Sequence, residues 1–265
     1  MYIVAIAELA TTLEAEAAAL AADLGTTAYE ERLHLLTGLP SVVLTTVDRG
    51  EALALLAKLR ARKHGAMACD ASAVVGHEAM TPMRGFVLEP DAVVAGEERL
   101  PYSEITALLR AMHRSQTESR GETKSRQFSA GKALLTGGLA LTKTVTREEK
   151  SVVSASEQVL YVFRAGGETP WLLRERGTSY AGLGAGLAAS SMQNFLTTVA
   201  RLRERAPTAL YDERLLNPRN AVQRLTRSGS ASASTLQTSS AGGVDLLAHL
   251  IALWNARSRR IDELT

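Results

Sequence analysis

Three short patterns in this 265-residue chain have residue types that could do chemistry. Ser129-Ala130-Gly131-Lys132 has S-x-x-K spacing, in which a lysine amine can take the proton of a serine nucleophile. The companion S-D-N and K-T-G elements are absent from the sequence, so the expectation is a chance match. Gly184 to Ala189 reads G-x-G-x-x-A, with Glu204 further along the chain. A dinucleotide site needs a strand before such glycines, a helix after them and a second βαβ half. Here the chain runs on into a basic stretch and a Ser-rich segment, so a glycine hinge is expected, with anion binding at the helix start as the alternative. Cys69 lies between His64 and His77, and a Cys–His pair can make a nucleophile. A lone Cys on a strand is instead expected to be a small buried apolar residue. His64 follows a helix end, where a negative dipole terminus suits it, while His34, His113 and His249 sit among apolar neighbours and read as core-boundary residues. One Cys and no H-x-x-x-H pattern leave neither a disulfide framework nor a zinc set. No Walker loop precedes Lys132, because the position that needs its first glycine is Arg126. The expectation is therefore a non-enzyme with no catalytic residue, cofactor or metal.

Charge is nearly balanced overall, at +2, but unevenly placed. Residues 1–57 hold 8 acids and 2 bases, and residues 65–109 hold 7 acids and 2 bases. Residues 110–150 hold 9 bases and 4 acids, and residues 199–227 hold 7 bases and 3 acids. Such basic stretches can meet phosphates or anionic lipid. Each contains a single aromatic, Phe128 and Tyr211, so base-stacking platforms are not expected. No apolar run approaches the roughly 18 residues of a spanning helix. The start, MYIVAIAELATTLEAE, lacks the basic opening of a secretion signal, so a cytoplasmic protein is expected.

The elements that must position these residues begin with a small alternating module. Tyr2 to Ala7 is an apolar run of strand length. Thr11 with Glu14, and Thr27 with Glu30, have capping-box spacing ahead of helical patterns, and Asp48 with Glu51 repeats the logic. Gly25 suits a helix end, and Gly38 and Pro40 stop the second helix. Ser41 to Val47 is β-branched, and Ala66 to Ala71 returns as a strand after Gly65. The expected order is β-α-α-β-α-β over about 72 residues. That order, with TAYEERLHLLTGLPSVV and EALALLAKLRARKHGAMA, resembles the C-terminal domain of the bacterial ribosomal stalk protein. That family recruits translation factors through lysines on its short helix. This chain has Glu30, Glu31 and Leu33 there, so no factor-binding residue carries over.

Further on, RGFVLE and DAVVA read as short strands. Residues 102–114 fit either a strand or a helix, and 115–133 read as a polar mobile loop. LALTKTVT, VLYVF and the segment from Trp171 read as strands, and Ala188 to Arg205 as a helix. Several strands closed by one amphipathic helix, with RGFVLEPDAVVAGEERLPYSEI, resemble the pleckstrin-homology-like superfold. That resemblance implies lipid, peptide or protein binding without naming a ligand.

The expected fold class is α+β. A β-α-α-β-α-β module spans 1–78, and a β-rich pleckstrin-type module with its closing helix spans 84–212. A Ser/Ala/Gly linker over 228–243 then tethers an apolar helix over 244–258, capped by Asp245. The expected function is a cytoplasmic adaptor or scaffold that binds another protein, with Leu247, Leu250 and Trp254 as the docking stripe, on a partner or on this chain. The alternative is a phosphate binder, on nucleic acid or a membrane surface, using Lys124, Arg126, Arg201 and Arg205.

Overall fold

The computed structural model describes residues 1–128, 142–217, 229–232 and 235–262, with the side chains of 1–115, 154–217 and 239–257. The protein belongs to the α+β class and forms two compact units. The first comprises Met1–His113, Ser156–Thr226 and Ser240–Thr265, and the second Arg114–Ala155 and Arg227–Ser239.

The first unit opens with β1 (Tyr2–Glu8), α1 (Leu13–Leu24), α2 (Ala28–Leu35), β2 (Ser41–Thr46), α3 (Arg49–Ala61) and β3 (Gly65–Asp70), in the expected order. Local chemistry sets the helix starts. Thr27 and Glu30 close a reciprocal capping box on α2, and the Asp48 carboxylate accepts from the Gly50 and Glu51 amides. At α1 the cap is Thr12, which accepts from the Ala15 amide, and not Thr11. The strands pair in the order β2-β1-β3, both pairs antiparallel.

The chain continues through β4 (Thr81–Pro82), β5 (Val87–Leu88), β6 (Ala92–Ala95), β7 (Glu98–Pro101), β8 (Ile105–Phe128), β9 (Thr142–Arg164) and β10 (Trp171–Arg174). After these come α4 (Ser191–Arg205), β11 (Leu210–Leu215), β12 (Gly229–Ser232), β13 (Thr235–Ser239) and α5 (Ala241–Asp262). The ambiguous 102–114 stretch is thus a strand from Ile105. Within the first unit the second sheet runs β11-β8-β9-β10-β4, and β5-β6-β7 form a separate small sheet.

Both larger sheets are apolar on two faces. On β1, Val4 and Ile6 pack with Ala17, Leu20, Leu55 and Leu59 of the first helices. The alternate residues Ile3, Ala5 and Ala7 join a central cluster with Val244, Leu247, Leu250 and Ile251 of α5. Val159, Tyr161 and Phe163 of β9 meet the same cluster from the second sheet. The other parity of that sheet, Leu160, Val162, Trp171 and Leu173, packs on Phe195, Val199 and Leu202 of α4. The period-two alternation therefore sends successive side chains into different cores. The layers read helices, sheet, α5, sheet, α4.

This arrangement corrects the reading of a tethered terminal helix. α5 starts at Ala241 instead of residue 244 and is the middle layer of the first unit. Asp245 is its fifth residue and does not cap it. The expected boundary at residue 78 runs through a shared core, since Met67 and Ile3 pack in the same cluster as Leu247.

The second unit holds β12, β13 and the portions of β8 and β9 that lie in it, in the order β12-β13-β8-β9. β12 pairs antiparallel with β13, and Thr235 to Ser239 pair with Ser119 to Ser115 of β8. The described part of the expected linker up to Ser239 is therefore paired strand, its last three residues open α5, and the expected loop is strand as far as Phe128. Polar composition hid both, because ladder hydrogen bonds need backbone groups and not apolar side chains.

Leu250 is 0% exposed at the centre of α5. Leu250→Ala is expected to cost about 2–5 kcal/mol in urea unfolding of the full chain. A loss below about 0.5 kcal/mol, as at an ordinary surface site, would return α5 to the status of an appendage.

Candidate functional site

The structure uses most of the sequence-predicted residues for internal packing. Leu247 and Leu250 are buried in the central cluster. The Trp254 ring lies so close to Gly65 that a Cβ there would sit 2.7 Å from it, and its indole N–H donates to Glu8 Oε1 at 3.0 Å. This stripe docks on its own chain, so it is not a free partner surface here. Arg201 donates to the Leu183 carbonyl at 3.2 Å, and Arg205 donates to the Glu89 carbonyl and the Tyr102 hydroxyl. These contacts engage Nη1 of each guanidinium in the fold. Lys124 and Arg126 lie on β8, but their side chains, like Ser129 and Lys132 altogether, fall outside the described residues.

The glycine motif is also structural. A Cβ on Gly182 would strike the Phe86 carbonyl, and one on Gly186 would strike the Arg201 guanidinium. Asn194 of α4 clamps the loop, accepting from the Ala188 amide at 2.7 Å and donating to its carbonyl at 2.9 Å. Cys69 packs at the edge of the central cluster, where burial pushes its thiol up, and His77 bonds elsewhere. His64 is paired with buried Glu16, which also binds Arg62 through both carboxylate oxygens. Among the described residues, no group of three or more His, Cys, Asp or Glu side chains could hold a metal ion. Among them, too, no helix is long and apolar enough to cross a membrane.

Two features sequence reasoning missed remain. The first is on the surface. Tyr29, Leu33 and Leu36 follow i, i+4, i+7 spacing along α2 and its C-cap, and are 67%, 42% and 44% exposed. Glu31 and Leu35 of the same helix face inward and are buried. The outer stripe is rimmed by charge: Glu30, which closes the capping box, and the Arg32–Glu14 ion pair at 3.7 Å. The signal was present in TAYEERLHLL, where apolar residues sit on both sides of a short helix.

The second is a polar cluster inside the central core. The Asp245 carboxylate, 1% exposed, accepts from the His77 backbone N–H at 2.9 Å, His77 Nδ1 at 2.8 Å and the Tyr161 hydroxyl at 2.6 Å. The Tyr161 proton is committed to Asp245, so His113 Nε2 must donate to the Tyr161 oxygen, 2.7 Å away. His249 accepts the Val75 N–H on Nε2, so its Nδ1 donates to the Asp245 carbonyl at 2.9 Å. Four segments distant in sequence thus meet at one carboxylate. His113 and Tyr161 share strand parity with Leu109 and Val159, which is the only sequence trace of the meeting.

Burial alone would push Asp245 up, but the bonds from His77 and Tyr161 hold it below the usual carboxylate range. The hydrogen bond to Asp245 raises His77, against the effect of its burial. Burial lowers His113 to about 4 and also lowers His249. Burial, followed by the Asp245 charge, pushes Tyr161 up, so it stays a phenol. This is a fixed proton arrangement around one anion.

Compared with protein-family models, curated proteins and solved structures, the chain matches none.

The cluster makes stability depend on pH. His113 is depressed in the fold from 6.5 to about 4, so its contribution is complete above pH 6.5 and is lost as pH falls toward 4. His249 acts in the same direction. Asp245 stability is lost only at lower pH, as its carboxylate protonates, and His77 stability is lost as pH rises through its raised value. Urea unfolding is expected to show about 3 kcal/mol lost through His113 on acidification across that window. His113→Gln, which keeps a donor for Tyr161, is expected to flatten the slope. An equal acid slope in that variant would refute the assignment.

Proposed function

We propose that this chain is a non-enzymatic cytoplasmic adaptor or scaffold that binds another protein through the outer face of α2. The observation that carries the reading is the exposed Tyr29–Leu33–Leu36 stripe on a helix whose inner face is already buried. Large apolar side chains held in register at i, i+4 and i+7 fit the anchor spacing by which amphipathic helices and grooves recognise each other. The surrounding residues 1–57 carry 8 acids against 2 bases, which favours a partner segment with apolar anchors and basic flanks.

Phosphate binding has less support. Arg201 and Arg205, two of its four proposed ligands, each have Nη1 bonded to carbonyl or hydroxyl groups of the fold.

Affinity capture with the full chain, followed by mass spectrometry, is expected to return a partner that Leu33→Asp and Tyr29→Ala no longer retain. Each variant is expected to weaken the purified complex roughly tenfold or more, the cost of losing one interface hot spot. Melting temperatures are expected to stay unchanged, because both side chains are exposed. A partner held equally well by both variants would place the docking surface elsewhere.

A further inference from the structure

A cleft of about 410 Å³ lies among the end of α1, α2, β2 and α3, on the inward side of α2 and apart from its outer stripe. Its wall is apolar at Leu24, Val43 and Leu55. Its charged lining comprises Asp23, Glu31 and Glu51 against Lys58, with His34 beside them. Asp23 is neutralised, because Lys58 Nζ sits 2.9 Å and Arg62 2.8 Å from its two oxygens. Glu51 takes a hydrogen bond from the Thr46 hydroxyl at 2.5 Å and has no ion pair among those described.

Glu31 is the unusual member. It is 2% exposed, and only one of its oxygens is satisfied, by the Thr26 hydroxyl at 2.7 Å. The other, Oε2, is buried without a hydrogen-bond partner, and the nearest basic atom is His34 Nδ1 at 3.5 Å. A buried carboxylate oxygen without a hydrogen bond is costly, and a charged donor that reaches it recovers that cost. His34 is partly exposed and lines the same cleft, so a ligand that reaches Oε2 takes the place of its imidazole.

We propose that this cleft binds a primary alkylammonium group, with the ammonium on Glu31 and the alkyl chain against Leu24, Val43 and Leu55. Three features select this chemistry. The cleft is net negative, which rejects carboxylates and phosphates. The orphan oxygen calls for a strong N–H donor. The apolar wall favours a hydrocarbon chain over a bare inorganic cation. The proposal does not depend on the α2 docking reading, since the two surfaces use opposite faces of the helix.

The test is an NMR titration of the isotope-labelled full chain with n-butylammonium, with n-butanol and potassium as controls. Butylammonium is expected to give saturable shifts at residues 23–26, 31–34, 43–45 and 51–58, and the two controls are not. Glu31→Gln keeps the Thr26 contact and is expected to weaken binding roughly tenfold to a hundredfold, the worth of one charge-assisted hydrogen bond. Thr45 is an exposed lining residue, and Thr45→Lys is expected to block the cleft with its own ammonium without disturbing the fold, which keeps the test decisive if Glu31→Gln does not fold. Equal shifts with butanol, undiminished binding in the variants that fold, or no saturable shift in the wild type would each overturn the proposal.

Discussion

Two sheets with apolar side chains on both faces need three apolar layers to cover them, and the middle layer here is a single helix. That constraint organises the first unit. α5 buries Val244, Leu247, Leu250 and Ile251 among residues of β1, β3, β8 and β9. Each fully buried side chain of this size contributes roughly 1.5–3 kcal/mol. Most of the stabilisation α5 brings is therefore shared between sheets that are far apart in sequence. The first sheet has its other cover in α1 and α3, and the second in α4, but neither can lose α5 without exposing an apolar face.

A helix buried on both sides needs something that fixes its register, because apolar packing alone tolerates sliding. The Asp245 cluster supplies direction. Its carboxylate takes two donors from His77 and one from Tyr161, so the helix is tied to the segment after β3 and to β9 at once. His249, one turn on, adds a bond to the Val75 amide. Such bonds add modest net stability but penalise any shift that leaves the anion unpaired, and they specify one position. The same arrangement makes the packing acid-sensitive, since His113 must stay neutral to sit where it does.

What the sequence disclosed follows the range of the interactions. The caps at Thr27 and Asp48, the order of the first six elements and the apolar strand VLYVF are local, and they were legible. α5 was legible as a helix but not as a core layer, because the contacts that place it come from strands up to 246 residues away, as in the bond from Trp254 to Glu8. Serine and glycine before α5 looked like a linker, and charged and hydroxyl residues after His113 looked like a loop, yet both stretches pair as strands. The Asp245 cluster had no motif, since its members come from four segments brought together only by the fold. The α2 stripe was overlooked for a different reason: its spacing is local, but only the structure shows which of its two apolar sides is already covered.

The buried stripe of Leu247, Leu250 and Ile251 makes α5 an inseparable part of the core. Native-state hydrogen exchange at increasing urea tests this most directly. Amides of β1, of β9 at Val159 to Phe163 and of α5 at Leu247 to Ile251 are expected to open in one transition, at one common free energy. Exchange of the α5 amides at a much lower free energy, with both sheets still protected, would mean that the helix undocks alone, and would contradict the account.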